Sequence, residues 1–383
     1  MKTTVDNAKE QIINAIRTYL AKNKDGSYRM PAIGRLPIYL LGRPGIGKTE
    51  IVREVAEEMG LGYEAFSLTH HTRNSLLGLP VIKELPDGRR YTEFTMSEII
   101  AAVEKARAAG HEEGILMLDE FNSVSETVLP TMLAFLQTKN IGEYTLPDGW
   151  IITLAGNPSE DNHSARALDM ALLDRVRKIE IEFNPEVFLA YAEANNFHPA
   201  VLGYLTDHSL NCYIMKPDQK TPEAVTARGW ENLSRTLYIM DDLKITATAD
   251  LVSQFIKSDG VVYDFMGYLT LHAIGCRQSD LNAIILAGKY HEEYAEKWRD
   301  LPETTLWLLA DHFFCFLTSK KNKSTEFNTY YENIFHFLDL LGNRLVKERV
   351  FSQVNKDPYM VKMLVCTHNN TYKRLCGELL NAG

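Results

Sequence analysis

The amino-acid sequence predicts an α/β chain whose first half is built on a five-stranded parallel sheet and whose second half is all helical. Three observations predict it. Short apolar runs alternate with helix-length stretches from Ile38 to Ala109, the rhythm of βαβ units. The rhythm continues to Phe183, after which apolar positions such as Phe188, Leu189, Tyr191 and Ala192 take helical spacing. A length of 383 residues, at about 150 per domain, suits one large domain with a substantial appendage.

In chain order, Ile12, Ile13, Ile16, Tyr19 and Leu20 recur at helical offsets, so residues 1–23 read as an amphipathic helix running into a polar, glycine-containing loop. An α/β domain over 24–184 follows. Its strands are expected at Ile38–Leu41, Tyr63–Leu68, Ile115–Leu118, Trp150–Ala155 and Lys178–Phe183, with helices at Lys48–Met59, Ser97–Ala109 and Val124–Gln137. Val81–Leu85 and Arg90–Phe94 flank the turn sequence Pro86-Asp87-Gly88 and form a hairpin inserted into this series. Ser123 with Glu126 fits a capping box for the third helix, which Pro130, past the first turn, should kink. Residues 185–245 form a first helical segment and 246–383 an all-α C-terminal extension, where the aromatic stripes Thr304–Leu317 and Thr329–Leu345 read as core.

Composition narrows the function classes. Apolar residues at 45 % and charged residues at 24 % are ordinary globular values and exclude global disorder. Forty-one basic against fifty acidic side chains leave a net charge of −9, which speaks against nucleic acid as the partner. The longest basic run, Lys320-Lys321-Asn322-Lys323, reads as a solvated loop. Cys212, Cys276, Cys315, Cys366 and Cys376 are odd in number and lack CxxC spacing, so they read as packed thiols of a reducing compartment. No apolar run approaches the ~20 residues a bilayer span needs, and no leader pattern follows Met1; a cytoplasmic protein is expected.

Gly42-Arg43-Pro44-Gly45-Ile46-Gly47-Lys48-Thr49 matches G-x-x-x-x-G-K-[ST] between an apolar strand and a helix that opens Lys48-Thr49-Glu50. Glycines let main-chain N–H groups converge on a phosphate, and the helix N-terminus adds partial positive charge. Lys48 reaches the β- and γ-phosphates, and the Thr49 hydroxyl is a Mg²⁺ ligand. Some 70 residues on, the apolar strand before Asp119-Glu120 has the form of a Walker B element. Alone, an Asp-Glu pair after a strand is a common solvated turn. Beside the loop, Asp119 is read as holding metal and Glu120 as polarising the attacking water. The next strand ends in Gly156-Asn157-Pro158, at the sheet edge where phosphates should lie; Asn157 either orients the lytic water or caps a turn. Thr69-His70-His71-Thr72 reads as no metal site, because adjacent side chains on an extended strand point to opposite sides and no third ligand stands nearby. Asp161 and His163 read as solvated.

These motifs resemble those of the AAA+ ATPases, a class of P-loop NTPases, and within them the MoxR-like group related to dynein-type and midasin-type modules. Asp119-Glu120-Phe121-Asn122 is similar to the group's D-E-[hydrophobic]-N form, Gly156-Asn157-Pro158 to its sensor-1 strand end, and Leu172-Leu173-Asp174-Arg175-Val176 to its L-D-R-F element, with valine in place of the aromatic. Val225-Thr226-Ala227-Arg228-Gly229-Trp230-Glu231 is similar to the sensor-2 form, with Ala227 where the group often has proline. The resemblance covers residues 10–240. It implies ATP and Mg²⁺ as ligands and a helical lid at 185–245. It also implies a ring, usually hexameric, in which an arginine from one subunit completes the site of the next. Arg175 is the candidate for that trans arginine, with Arg177 and Arg166 as rivals, and Arg228 is the sensor-2 candidate. The implied work is remodelling or activation of a protein partner, often one with a von Willebrand factor A domain. An ATP-dependent switch or assembly scaffold with slow turnover, and a DNA-acting motor, are the alternatives.

Overall fold

The computed structural model describes residues 2–160, 170–217, 222–273, 278–289, 296, 298–299, 301, 303–320 and 324–379. The chain divides into two compact units. One comprises Met1–Phe197, Leu205–Ile239 and Phe255–Lys257; the other comprises His198–Tyr204, Met240–Gln254 and Ser258–Gly383.

The first unit begins with strand β1 (Lys2–Thr3), helix α1 (Val5–Tyr19), β2 (Ile38–Gly42), α2 (Lys48–Met59) and β3 (Gly62–Ser67). It continues through α3 (Arg73–Leu77), the hairpin β4 (Pro80–Glu84) and β5 (Arg90–Phe94), α4 (Glu98–Ala108) and β6 (Gly114–Asp119). Helix α5 (Leu129–Thr138), the short strands β7 (Asn140–Ile141) and β8 (Tyr144–Thr145), β9 (Trp150–Gly156), α6 (Met170–Leu173) and β10 (Arg177–Ile181) complete the α/β part.

The five expected strands are all present and pair in parallel, in the order β1-β10-β2-β9-β6-β3. The edge strand β1 is a sixth: two residues in front of α1, where the sequence predicts only helix, pair with Glu180 and Ile181. Side chains alternate across the sheet and give it two cores. Ile38, Leu40, Ile115, Met117, Ile151 and Ala155 bury against α1 and α2. Tyr39, Leu116, Leu118, Ile152 and Leu154 bury on the other face, with Ile99 and Val103 of α4 and Met132 and Phe135 of α5. The result is a three-layer α/β fold with its strand C-termini level along one edge.

Three local expectations need correction. Residues after Asp119 form a 3-10 turn, Phe121–Ser123, and α5 starts only at Leu129. Pro130 therefore lies in the first turn, where its missing N–H costs nothing and no kink arises, and the Ser123–Glu126 capping box is not formed. Strand pairing also recurs after residue 184: after α7 (Pro185–Ala194) and α8 (Pro199–Asp207), β11 (Ile214–Lys216) and β12 (Glu223–Val225) form an antiparallel pair before α9 (Ala227–Leu243). Three residues per strand are too few for alternation to register in a sequence. Third, Cys212 is packed as expected, but Cys366 is exposed. Cys276 lies outside the described residues, and the side chain of Cys315 is not described.

Among its described residues the second unit is helical. The first expected stripe lies on helix Glu303–Lys320; the second breaks at Leu341, where helix Ser324–Leu341 ends, and its Leu345 falls on the next helix, Arg344–Lys356, while Leu306, Phe313, Tyr331, Phe335 and Phe337 pack with Trp298 into one core. No helix among the described residues is long and apolar enough to cross a membrane. Lys321, Asn322 and Lys323 lie outside the described residues.

Candidate functional site

Strand β2 stops at Gly42, and the chain loops back to start α2 at Lys48. A Cβ at Gly42 would meet Ile46 Cδ1 at 2.7 Å and the Ile181 carbonyl oxygen at 2.8 Å, so only glycine fits. Gly45 and Gly47 sit at φ +74° and +94°, left-handed conformations that turn successive amides toward one side. Ile46 is buried and anchors the loop to the α1/α2 core. Residues Pro44 to Thr49 line a cavity of about 840 Å³.

The carboxylates arrive from β6. Asp119 pairs in register with Ser67 of β3, which puts both at the C-terminal edge of the sheet. Thr49 Oγ1 donates to Asp119 Oδ2 at 2.6 Å, so the two expected metal ligands are in contact. The Asp119 charge adds to burial in pushing the Tyr63 hydroxyl up to about 12. Glu120 has φ +57°, an uncommon conformation for a non-glycine residue that turns its side chain off the strand line. Its Oε2 accepts from Ser67 Oγ at 2.7 Å and Thr69 Oγ1 at 2.8 Å. Both carboxylates line the cavity.

Lys48 is 8 % exposed, and its Nζ donates to the carbonyls of Gly42 and Arg43 at 2.7 and 2.8 Å and to Asn157 Oδ1 at 2.9 Å. Loop, β6 and β9 thus meet through side chains that the sequence places far apart. The cavity's apolar wall comes from Phe183, Val187, Phe188 and Tyr191, and its α1 side from Val5 and Lys9. Lys9 bridges Glu54 and Glu58 of α2 at 2.9 and 2.5 Å.

The remaining candidates are placed unequally. Arg228, near the start of α9, lines the same cavity. Glu50 lines it too, but its carboxylate is held by Arg53 one turn on. Arg43 borders an adjoining cavity of about 480 Å³. Arg175 is half-buried and borders neither; with the Gln137 amide presenting its oxygen, Arg175 Nη2 donates to it at 3.0 Å. Arg177 is exposed at the start of β10. Arg166, Asp161 and His163 lie outside the described residues. His71 Nδ1 is 3.2 Å from Ser75 Oγ, with its ring edge-on to Phe66.

Sequence reasoning missed several partners of this site. Ser67 and Thr69 occupy Glu120, and strand adjacency of β3 and β6 was the available signal. Tyr213 donates its hydroxyl to the Pro44 carbonyl at 2.9 Å while its ring stacks on Phe183 at 4.8 Å. Thr226, the residue before α9, packs where a Gly45 Cβ would come within 2.9 Å, and its Oγ1 accepts from Gly229 N. No local pattern announces either contact, because Tyr213 is 169 residues from Pro44 and Thr226 is farther still from Gly45.

The arrangement can cradle a phosphate chain, hold a divalent cation on two hard oxygens and present a carboxylate to a water molecule. Residues 37–176 match the family model for the AAA domain (dynein-related subfamily). The chain is 20 % identical over 283 residues to the Lon protease of Rickettsia felis, covering 70 % of this chain; it spans about a third (32 %) of that relative's length. The crystal structure of a "putative ATPase" from Cytophaga hutchinsonii is similar at a TM-score of 0.34 and 17 % identity, over 51 % of this chain and 52 % of that one. With fold, phosphate loop and family match agreeing over the same residues, residues 37–176 form an AAA+ P-loop domain.

Proposed function

We propose that the protein hydrolyses ATP at subunit interfaces of a ring and uses the resulting conformational change to remodel a protein partner, as its MoxR-like motifs suggest. One observation carries this reading: Lys48, Thr49, Asp119, Glu120 and Asn157, from three separate segments, line a single cavity at the strand C-termini. Lys48 exchanges its carbonyl partners for β- and γ-phosphate oxygens. Thr49 and Asp119, already in contact at 2.6 Å, fit a small octahedral cation that keeps most of its waters. Bound there, Mg²⁺ supplies charge neutralisation across the phosphates. Glu120 takes up the proton of the attacking water, Asn157 orients that water, Arg228 contacts nucleotide from the lid, and Arg175 serves the neighbouring subunit. The position of Arg175 outside its own cavity supports that last role, since a trans arginine has no use for it. The nucleotide domain spans 24–184, the lid 185–245 and a helical extension 246–383, and the protein works in the cytoplasm on a partner such as one carrying a von Willebrand factor A domain.

The test is Glu120→Gln. It should keep ATP affinity while hydrolysis falls on the order of 10²- to 10⁴-fold, and light scattering with Mg-ATP should give a mass near six chains. Arg175→Ala should bind ATP and turn over slowly, and mixing it with Glu120→Gln protein should restore hydrolysis at interfaces that unite an intact Glu120 with an intact Arg175. A nucleotide-bound monomer, or no restoration, would sink the ring. A second reading draws on the two hydroxyls held by Glu120: a switch that binds ATP with the carboxylate parked. It requires that Glu120→Gln leave turnover unchanged.

A further inference from the structure

We propose that Asn122 is a positioning residue for ATP hydrolysis, acting through the main chain of Asn157; this rests on the ATPase reading above. Asn122 lies in the 3-10 turn directly after the two carboxylates and is 7 % exposed. Its neighbour Phe121 pins the turn, fully buried and edge-on to Tyr39. The Asn122 amide meets both main-chain polar groups of one residue: Nδ2 donates to the Asn157 carbonyl at 2.6 Å, and Oδ1 accepts from the Asn157 N–H at 3.2 Å.

That pair does the work of a neighbouring strand. The ladder between β6 and β9 ends at Leu118 opposite Leu154, and that between β2 and β9 at Leu41 opposite Gly156. Asn157 is the first residue past both, and the side-chain amide of Asn122 supplies the donor and acceptor that strand pairing no longer does. Gly156 belongs to the device, because a Cβ there would stand 2.5 Å from Asn122 Oδ1. The residue so fixed is the one whose own Oδ1 sits 2.9 Å from Lys48 Nζ. Asn122 therefore joins the Walker B strand end to the phosphate lysine while itself lying outside the lining of the 840 Å³ cavity.

Few side chains meet both demands. Aspartate accepts but, ionised, cannot donate, and would set a carboxylate oxygen against the Asn157 carbonyl. Serine spans one bond of the two.

The experiment is a double-mutant cycle of Asn122→Asp with Asn157→Ala on the full chain, reading kcat, KM for ATP and melting temperature. Asn122→Asp in the wild-type background should lower kcat about tenfold, with KM and nucleotide affinity within about twofold. In the Asn157→Ala background the same substitution should change kcat by less than about twofold. A merely structural role predicts instead a lowered melting temperature and the same loss of kcat in both backgrounds. That result overturns the proposal, as does an unchanged kcat for Asn122→Asp. If Asn122→Asp fails to fold, Asn122→Ser carries the same cycle with the same criteria. An active wild type with an unaffected Asn157→Ala overturns the link while leaving the ATPase reading intact. A wild type that hydrolyses no ATP overturns both.

Discussion

The two ends of the central sheet hold comparable charges and put them to opposite uses. At the C-terminal edge Lys48 is 8 % exposed and lines an open cavity. Before the strand N-termini Lys139 is 6 % exposed and donates to the Leu136 carbonyl at 2.8 Å. Close by, Arg35 gives its Nε and Nη2 to the Met30 carbonyl and its Nη1 to that of Asp148, with its guanidinium 4.4 Å from the Tyr28 ring centroid. Helix geometry accounts for the difference. Where strands end, helices begin, and α2 offers amide N–H groups and the positive pole of its dipole. Where strands begin, helices have just ended, and the C-terminal turn of α5 offers carbonyls that take a cation. One end is built to receive an anion, the other to bury cations among oxygen atoms.

Replacing each lysine tests this contrast. Lys48→Ala should give the largest effect: nucleotide affinity falling on the order of 100-fold, since charge-assisted bonds to phosphate are worth about 1.5–3 kcal/mol each. The melting temperature should fall only modestly, because the acceptors Lys48 leaves at Gly42, Arg43 and Asn157 belong to residues bordering a cavity that water can enter. Titration with a fluorescent ATP analogue checks it, and affinity within about threefold of wild type would remove Lys48 from the phosphate site.

Lys139→Met should do the reverse, leaving nucleotide affinity alone and changing stability with pH. Burial, with the Arg35 guanidinium beside it, pulls the Lys139 ammonium down to about 8 from an ordinary 10.5. Below pH 8 both folded and unfolded chains carry the charge, and the folded one bears its full desolvation cost. Between about pH 8 and 10.5 the unfolded chain binds more proton, so wild-type stability rises with pH. Lys139→Met should therefore be the more stable protein at pH 7, by up to about 3 kcal/mol, with the advantage shrinking toward pH 10. The difference between the two proteins in urea unfolding isolates this from tyrosine titration. A pH-independent difference would mean that the Lys139 ammonium holds its proton in the folded chain as strongly as in the unfolded one.

The two ends were not equally legible in the sequence. Gly42 to Thr49 and Asp119-Glu120 could be read because their chemistry is local: a glycine pattern that only one loop conformation explains, and carboxylates at the end of an apolar run. The five long strands were readable for the same reason, since each apolar run, or for Lys178 to Phe183 its alternation, is contained within one segment. Arg35 and Lys139 carry no such pattern. They meet because α5 ends and β2 begins at the same end of the sheet, which is a fact of topology. Ser67, Tyr213 and Thr226 escaped likewise, each being an ordinary residue until the fold carries it to a partner more than fifty positions away. The β1 strand is two residues long, below any period a sequence can show.

The smallest expected effect asks whether the phosphate loop holds its own shape. Gly45 and Gly47 give the loop its left-handed turns, but glycine also gives an unfilled loop the most freedom to lose on binding. Tyr213 and Thr226 both bear on that stretch: a hydroxyl on the Pro44 carbonyl, and a methyl and hydroxyl packed against Gly45. Tyr213→Phe removes one neutral hydrogen bond, worth about 1 kcal/mol, and keeps the ring stacked on Phe183. If the tyrosine props the loop in its binding shape, KM for ATP should rise about threefold to fivefold with kcat unchanged, because the cost falls on ordering the loop before chemistry begins. Unchanged KM would assign the shape of the loop to the glycines and to buried Ile46. The anion end of the sheet would then be as self-contained as the cation end, where Arg35 and Lys139 are fixed by main-chain carbonyls.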